Sequence, residues 1–285
     1  MIKLTIKDII SMKNKRKLTL VGAIDFFTAR ALESAGIDII GFGGTNIEML
    51  IKGNKDGTRA TLEEVLFCLD GVRKGAPNTF IMASIPYGYS FISHEDTLKT
   101  AVALMKAGAD ATKIQGSGIR IEKIKRITGE GIPCMGHLGL TPWFSTSMGG
   151  LKSVGKTSEI AINLFKDAFL IQQAGAFAIE LECVPYKVAE EITKRLDIIT
   201  IGIGSGVGCD GQNLHSEDIL GIHDFYYPKH TKKYRYFYEE SVKAFKEFAT
   251  EVQAKIFPTP GNSFEIDDEE YNKFIKAIDS KQDIL

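Results

Sequence analysis

Seven short apolar runs rich in β-branched residues punctuate the chain, at 18–25 (LTLVGAID), 37–44 (IDIIGFGG), 79–86 (TFIMASIP), 111–117 (ATKIQGS), 132–139 (IPCMGHLG), 177–184 (FAIELECV) and 198–205 (IITIGIGS). Between them lie longer segments of helical spacing, at 28–36, 62–75, 95–108, 119–131, 159–175 and 187–196. This alternation predicts a parallel sheet, because parallel strands need crossover connections. Three of the helical segments close alike, with ESAG at 33–36, MKAG at 105–108 and QQAG at 172–175, each placing a glycine where a left-handed C-cap falls. Repeated punctuation favours one barrel over two domains. With an eighth strand expected near 219–226 (ILGIHDFY), the fold class is α/β, a single (β/α)8 TIM barrel. From about Thr231 the chain reads as an added C-terminal helix over 236–257 and then a polar tail after Pro258 and Pro260. The expected division is therefore 1–257 for the barrel with its helix and 258–285 for the tail.

Composition narrows the partners. The 285 residues carry 35 Lys and Arg against 36 Asp and Glu, a net charge of −1, which argues against a nucleic-acid partner that needs clustered positive charge. No run approaches the roughly 18 to 20 apolar residues of a membrane span, and the basic start lacks the apolar core and cleavage site of a secretory signal. Cys68, Cys134, Cys183 and Cys209 stand far apart with no CxxC pair, which disfavours a zinc site or a disulfide framework and points to a reducing cytoplasm.

In such barrels the C-terminal ends of the strands carry the chemistry. Those ends bear Asp25, Gly43 to Asn46, Ser84, Lys113, Gln115, His137, Glu180, Glu182 and Gly202 to Gly206. Lys113 and Glu182 are the most informative, as charged residues in otherwise apolar strands that are buried on both faces. An inward charge needs a partner or a task, so the pair marks either a site or a structural ion pair across the barrel. Strand alternation puts Gln115 on the face of Lys113, and Glu180 on the face of Glu182. His137 ends a strand ahead of a Thr-Pro helix start, and Cys183 points away from Glu182 as core more than as nucleophile. The glycines of GFGGT (41–45) and IGIGSG (201–206) offer either backbone N–H groups to an anion or plain tight turns.

VRKGAPN (72–78), MKAGAD (105–110), TKIQG (112–116), GHLGLTP (136–142), LECVP (181–185), IGIGSG (201–206), CDGQ (209–212) and YPK (227–229) together resemble the ketopantoate hydroxymethyltransferase (3-methyl-2-oxobutanoate hydroxymethyltransferase) family over nearly the whole barrel. The resemblance implies a barrel of the phosphoenolpyruvate mutase and isocitrate lyase superfamily, assembled as a homo-decamer. It implies a small 2-oxo acid substrate, 5,10-methylenetetrahydrofolate as co-substrate and a divalent metal, typically Mg²⁺, that acidifies the C3 proton. It carries the role of base onto Glu182, with Lys113 and His137 in the same pocket and Gly44, Thr45, Asn46, Ser84, Gln115, Asp25 and Glu180 around the substrate.

The departures from that pattern are specific. Counting from AGID (35–38), the family's first metal-facing aspartate falls on Gly44, with Thr45 for the serine after it; the second aspartate falls on Ser84 and the glutamate on Gln115. A hard divalent cation is held mainly by anionic oxygen, and each screened charge pair at ~4 Å is worth ~4 kcal/mol at an effective dielectric of ~20. The expectation is therefore no Mg²⁺ site of the family's kind, with Lys113 as the positive charge that stabilises an enolate. Glu180, in a position the family fills with an apolar residue, is free to share a proton with Glu182, to pair with Lys113, or to join Asp25 in a relocated cation site. The expected activity is hydroxymethyl transfer to a 2-oxo acid; a paralogous metal-independent lyase, decarboxylase or retro-aldol enzyme and a non-catalytic 2-oxo-acid-binding homologue are the alternatives.

Overall fold

The computed structural model describes residues 3–54 and 57–280. Eight parallel strands close a barrel in chain order: β1 (Leu18–Gly22), β2 (Ile39–Phe42), β3 (Phe80–Ser84), β4 (Ala111–Gln115), β5 (Cys134–Gly139), β6 (Ala178–Glu182), β7 (Ile199–Ile203) and β8 (Gly211–His215). The first seven fall inside the seven apolar runs. Helices Phe26–Ser34, Leu62–Gly75, His94–Lys106, Ile119–Gly129, Ser158–Gln173 and Tyr186–Arg195 make the crossovers. Gly36, Gly108 and Gly175 follow three of them at φ 75°, 109° and 87°, the left-handed termination the repeated glycines announced.

The eighth strand corrects the sequence reading. Residues 219–226 form no strand: Ile219 and Leu220 finish the short helix Ser216–Leu220, and GQNLH at 211–215 closes the barrel. It pairs with β7 at Ile201↔Gly211 and with β1 from Leu18↔Gly211 to Gly22↔His215. Its buried positions are the glycine and the polar Asn213, and Gln212 is exposed, so its hydrophobic signal is weak and the apolar ILGIHDFY nearby attracts the assignment instead.

Within the barrel the floor is apolar. Leu18, Leu20, Ile39, Phe80, Met82 and Met135 pack there with Ile9 of the N-terminal helix Ile6–Ser11. Outside, Ile40, Ile81, Ile114 and Leu181 pack against Val65, Leu69, Leu104 and Ile171 of the helices. Each such side chain contributes about 1.5–3 kcal/mol by leaving water. Along β4, β5, β6 and β8 the inward positions then turn polar toward the strand C-termini, at Lys113, His137, Glu180 and Asn213, all buried.

The chain divides into two compact units, residues 1–220 with 225–234, and residues 221–224 with 235–285. The expected C-terminal helix is Phe237–Gln253, and it groups with the segment that follows it, whereas the sequence reading grouped it with the barrel. The segment read as a polar tail contains a helix, Asp268–Ser280. Its apolar residues Tyr271, Phe274, Ile275 and Ile278 recur at helical spacing, and Asp268, Glu269 and Glu270 sit in the first turn, where they complement the helix dipole. Among the described residues no helix is long and apolar enough to cross a membrane.

Candidate active site at the barrel mouth

One cavity of about 90 Å³ opens at the C-terminal ends of the strands. Lys113, Gln115, His137, Glu180 and Glu182 line it, as do Ser84 and Gly44 to Asn46, together with Asn213, His215 and Trp143. The ladder explains why these side chains meet: Ser84 is in register with Lys113, Gln115 with His137, and His137 with Glu180.

Of the outcomes open to Glu180, the structure contains the ion pair with Lys113. Lys113 Nζ donates to Glu180 Oε2 at 2.5 Å, and Asn213 Nδ2 donates to Glu180 Oε1 at 2.5 Å. Burial by itself would raise the Glu180 carboxyl, but the Lys113 ammonium, the neighbouring His137 ring and the two donated hydrogen bonds outweigh it and hold it at about 2. An acid that strong shares no proton with Glu182. The Lys113 ammonium bonded to it also repels a cation from that carboxylate.

Glu182 Oε2 lies 3.1 Å from His137 Nε2, and His137 Nδ1 lies 3.7 Å from Glu180 Oε2. Neither contact has hydrogen-bond alignment, so both ring nitrogens of this buried imidazole are without a hydrogen bond. Gln115 Oε1 and Asn213 Oδ1 are likewise buried and unpartnered. Buried polar groups are nearly always satisfied, and four orphaned atoms around one cavity mark a place built for a polar ligand.

The family motifs acquire physical reasons here. Gly139, at φ 90°, lets β5 run against β6: a Cβ there would lie 2.2 Å from the Glu182 carbonyl oxygen, which accepts from Leu140 N–H at 2.8 Å. Ser205 Oγ donates to Leu181 O at 2.7 Å and accepts from Val184 N–H at 3.0 Å, so the IGIGSG segment braces the strand that carries Glu182. Cys183 is half-buried, and its thiol is pushed up to about 11 by burial and by the Glu182 charge, which makes it a poor nucleophile.

Two expected site residues behave differently. Asp25 is exposed and outside the cavity; its carboxylate caps helix Phe26–Ser34 by accepting from Thr28 N–H at 2.9 Å, so its chemistry is spent on the helix start. Thr45 lines the cavity while its hydroxyl accepts from Trp143 Nε1 at 3.2 Å. Sequence reading also missed residues. Asn213 and His215 were hidden by the misplaced eighth strand, and Glu217, buried just after it, hydrogen-bonds the Asn46 amide at 2.6 Å.

A divalent cation at the family's position finds a poor donor set. Gly44 has no side chain, and a Cβ on it would lie 2.8 Å from Ala60 Cβ, so any side chain there would have to displace Ala60. Ser84 and Gln115 offer only neutral oxygens, beside the Lys113 ammonium. Among the described residues no cluster of three or more His, Cys, Asp or Glu is arranged to hold a metal. These residues do not fit a hard cation.

A closed (β/α)8 barrel with charged and orphaned polar groups converging at the strand C-termini is the arrangement of a TIM-barrel enzyme. The profile of the family described as ketopantoate hydroxymethyltransferase matches residues 3–260. The chain belongs to that family. It is 41% identical over 259 residues to the 3-methyl-2-oxobutanoate hydroxymethyltransferase of Acetivibrio thermocellus, covering 90% of this chain and 91% of that one. It is 42% identical over 265 residues to the enzyme of the same name from Thermosipho africanus, covering 92% and 98%. Among solved structures, phosphoenolpyruvate phosphomutase from Streptomyces platensis subsp. rosaceus superposes with a TM-score of 0.60 at 12% identity, covering 98% and 97%. A 2,3-dimethylmalate lyase described as a member of the PEP mutase/isocitrate lyase superfamily superposes with a TM-score of 0.58 at 13% identity, covering 97% and 96%. At these identities the structural likeness concerns the fold. The family makes this chain a transferase of the hydroxymethyltransferase class.

Proposed function

We propose that the protein transfers a hydroxymethyl group to 3-methyl-2-oxobutanoate or a closely related 2-oxo acid, by a mechanism without the family's Mg²⁺ site. The observation that carries the reading is the convergence of Lys113, His137 and Glu182 on one cavity that also holds orphaned buried acceptors. Glu182 removes the C3 proton, with the His137 ring 3.1 Å from its carboxylate. Negative charge then develops on the 2-oxo oxygen. Lys113, held by Glu180 and desolvated by the barrel, stabilises that oxygen electrostatically, which a preorganised ammonium does far better in a dry cavity than in water. In the family reaction 5,10-methylenetetrahydrofolate supplies the one-carbon electrophile. Over the whole reaction C3 gains a carbon–carbon bond to that carbon, the two carbon–nitrogen bonds of the methylene bridge break, water supplies the hydroxyl oxygen, and tetrahydrofolate leaves.

A second reading keeps enolate chemistry but not the family reaction: a metal-independent lyase, decarboxylase or retro-aldol step. It is favoured by the crowded Gly44 position and by the polar side chains on β8, Asn213 and His215, which the hydroxymethyl-transfer mechanism above does not use.

The test is proton exchange. 3-Methyl-2-oxobutanoate incubated with the protein in D₂O, with and without chelator, should lose its C3 proton signal by NMR at the same rate in both. Glu182→Gln should abolish the exchange. Exchange that stops in chelator and returns with Mg²⁺ would overturn the metal-free mechanism; absence of exchange with the wild type would overturn the enolising role and favour a binding homologue.

A further inference from the structure

Asn46, His215 and Glu217 form a second polar cluster, with Asn46 and His215 lining the cavity and His215 on β8, four strands from Lys113 on β4, and the mechanism above does not use it. Asn46 Nδ2 donates to Glu217 Oε1 at 2.6 Å and lies 3.1 Å from His215 Nδ1. An amide nitrogen carries two hydrogens, which serve both contacts at once. Turning the amide over would bring its oxygen against a carboxylate oxygen, so Glu217, buried and itself accepting from Ser216 Oγ at 3.3 Å, fixes which way Asn46 faces. His215 Nδ1 must then be the acceptor, and the ring proton of the neutral imidazole must sit on Nε2. The ring approaches this closely because position 22 is glycine: a Cβ there would lie 2.7 Å from His215 Nδ1. His215 lines the cavity, and Nε2 makes no hydrogen bond among the described residues.

We propose that His215 is a substrate-binding residue, its Nε2–H donating to an anionic oxygen of the bound acid, and that Glu217 and Asn46 are positioning residues that fix this tautomer. The ligand class rests on the functional reading above; the relay of hydrogen bonds does not. In the absence of a carboxylate-bound cation, a fixed neutral N–H donor on β8 gives the substrate oxygens a partner on the wall facing Lys113. It does so without adding a further buried charge to the cavity.

The full-length protein labelled with ¹⁵N-histidine tests this by long-range ¹H–¹⁵N correlation at pH 7.5, with the His215 signals assigned by their loss in His215→Gln. The wild type should show the neutral Nε2–H tautomer. Asn46→Asp, nearly isosteric but presenting oxygen to Nδ1, should move the proton to Nδ1 or charge the ring. Saturating 3-methyl-2-oxobutanoate should shift the wild-type Nε2 resonance, and His215→Gln should weaken its binding by about ten- to a hundredfold. An Nδ1–H or doubly protonated wild-type ring, or a tautomer unmoved by Asn46→Asp, would overturn the relay whatever the substrate proves to be. Binding of 3-methyl-2-oxobutanoate that leaves both Nε2 and the affinity of His215→Gln unchanged would overturn the ligand contact. Failure of the wild type to bind the acid at all, with the tautomer as expected, would overturn the substrate reading and the contact together while leaving the relay standing.

Discussion

Lys113 and Glu180 form a buried ion pair across the barrel interior, Nζ to Oε2 at 2.5 Å, with only 11% and 2% of their side-chain surfaces exposed. The pair has consequences for charge: the ammonium that lines the cavity is already partly neutralised, and the Glu180 carboxylate is tied to it.

Breaking this pair should cost much more than replacing it. Lys113→Met strands a carboxylate and Glu180→Gln strands an ammonium, and each should destabilise the fold by about 3–5 kcal/mol. The double variant Lys113→Met/Glu180→Leu should recover most of that loss while remaining inactive. Urea denaturation of the three variants measures it; a double-variant loss equal to the sum of the two single losses would mean the pair is not coupled.

Acid should reveal the same pair. The Glu180 carboxyl is depressed from an ordinary 4.5 to about 2, so its contribution is fully present above pH 4.5 and lost as pH falls toward 2. The difference of 4.5 − 2 = 2.5 pH units corresponds to on the order of 3 kcal/mol at ~1.4 kcal/mol per unit. Stability measured between pH 5 and pH 2 should therefore fall more steeply in the wild type than in Lys113→Met/Glu180→Leu. Parallel curves would show that Glu180 titrates normally.

Mg²⁺, Mn²⁺ and Co²⁺ should give no saturable heat in calorimetric titration of the wild-type protein. Ser84→Asp/Gln115→Glu together with Gly44→Asp and Ala60→Gly, the last making room for the new side chain, should create a measurable site. Gly44→Asp alone should mainly destabilise, because its Cβ would press on Ala60 at 2.8 Å. Tight metal binding by the wild type would contradict the assignment of a metal-free pocket.

Gly139→Ala should lower thermal stability and reduce C3 proton exchange by tenfold or more, since the added methyl meets the Glu182 carbonyl oxygen at 2.2 Å in a left-handed conformation that alanine resists. Circular dichroism with the D₂O assay separates the two effects. Unchanged exchange in a folded Gly139→Ala protein would show that the Glu182 backbone position is not critical.

The barrel was legible because its first seven strands are buried on both faces, and complete burial writes continuous apolar runs into the sequence. Period-two alternation likewise put Lys113, Gln115, Glu180 and Glu182 inward, and the motif resemblance put His137 with them. β8 was not legible: in GQNLH the buried positions are glycine and asparagine, so the strand carries no apolar run to read. With it went Asn213 and His215, and with them the partner of Glu180 and the end of the Asn46 relay. Asp25 shows the converse, a carboxylate after a strand end that accepts from the Thr28 N–H of a helix start. The sequence by itself thus determined which charges point into the barrel and which acidic positions are lost. Only the tertiary structure decided how those charges pair, because Lys113 and Glu180 are 67 residues apart, and their contact depends on strand register and closure, which no local pattern encodes.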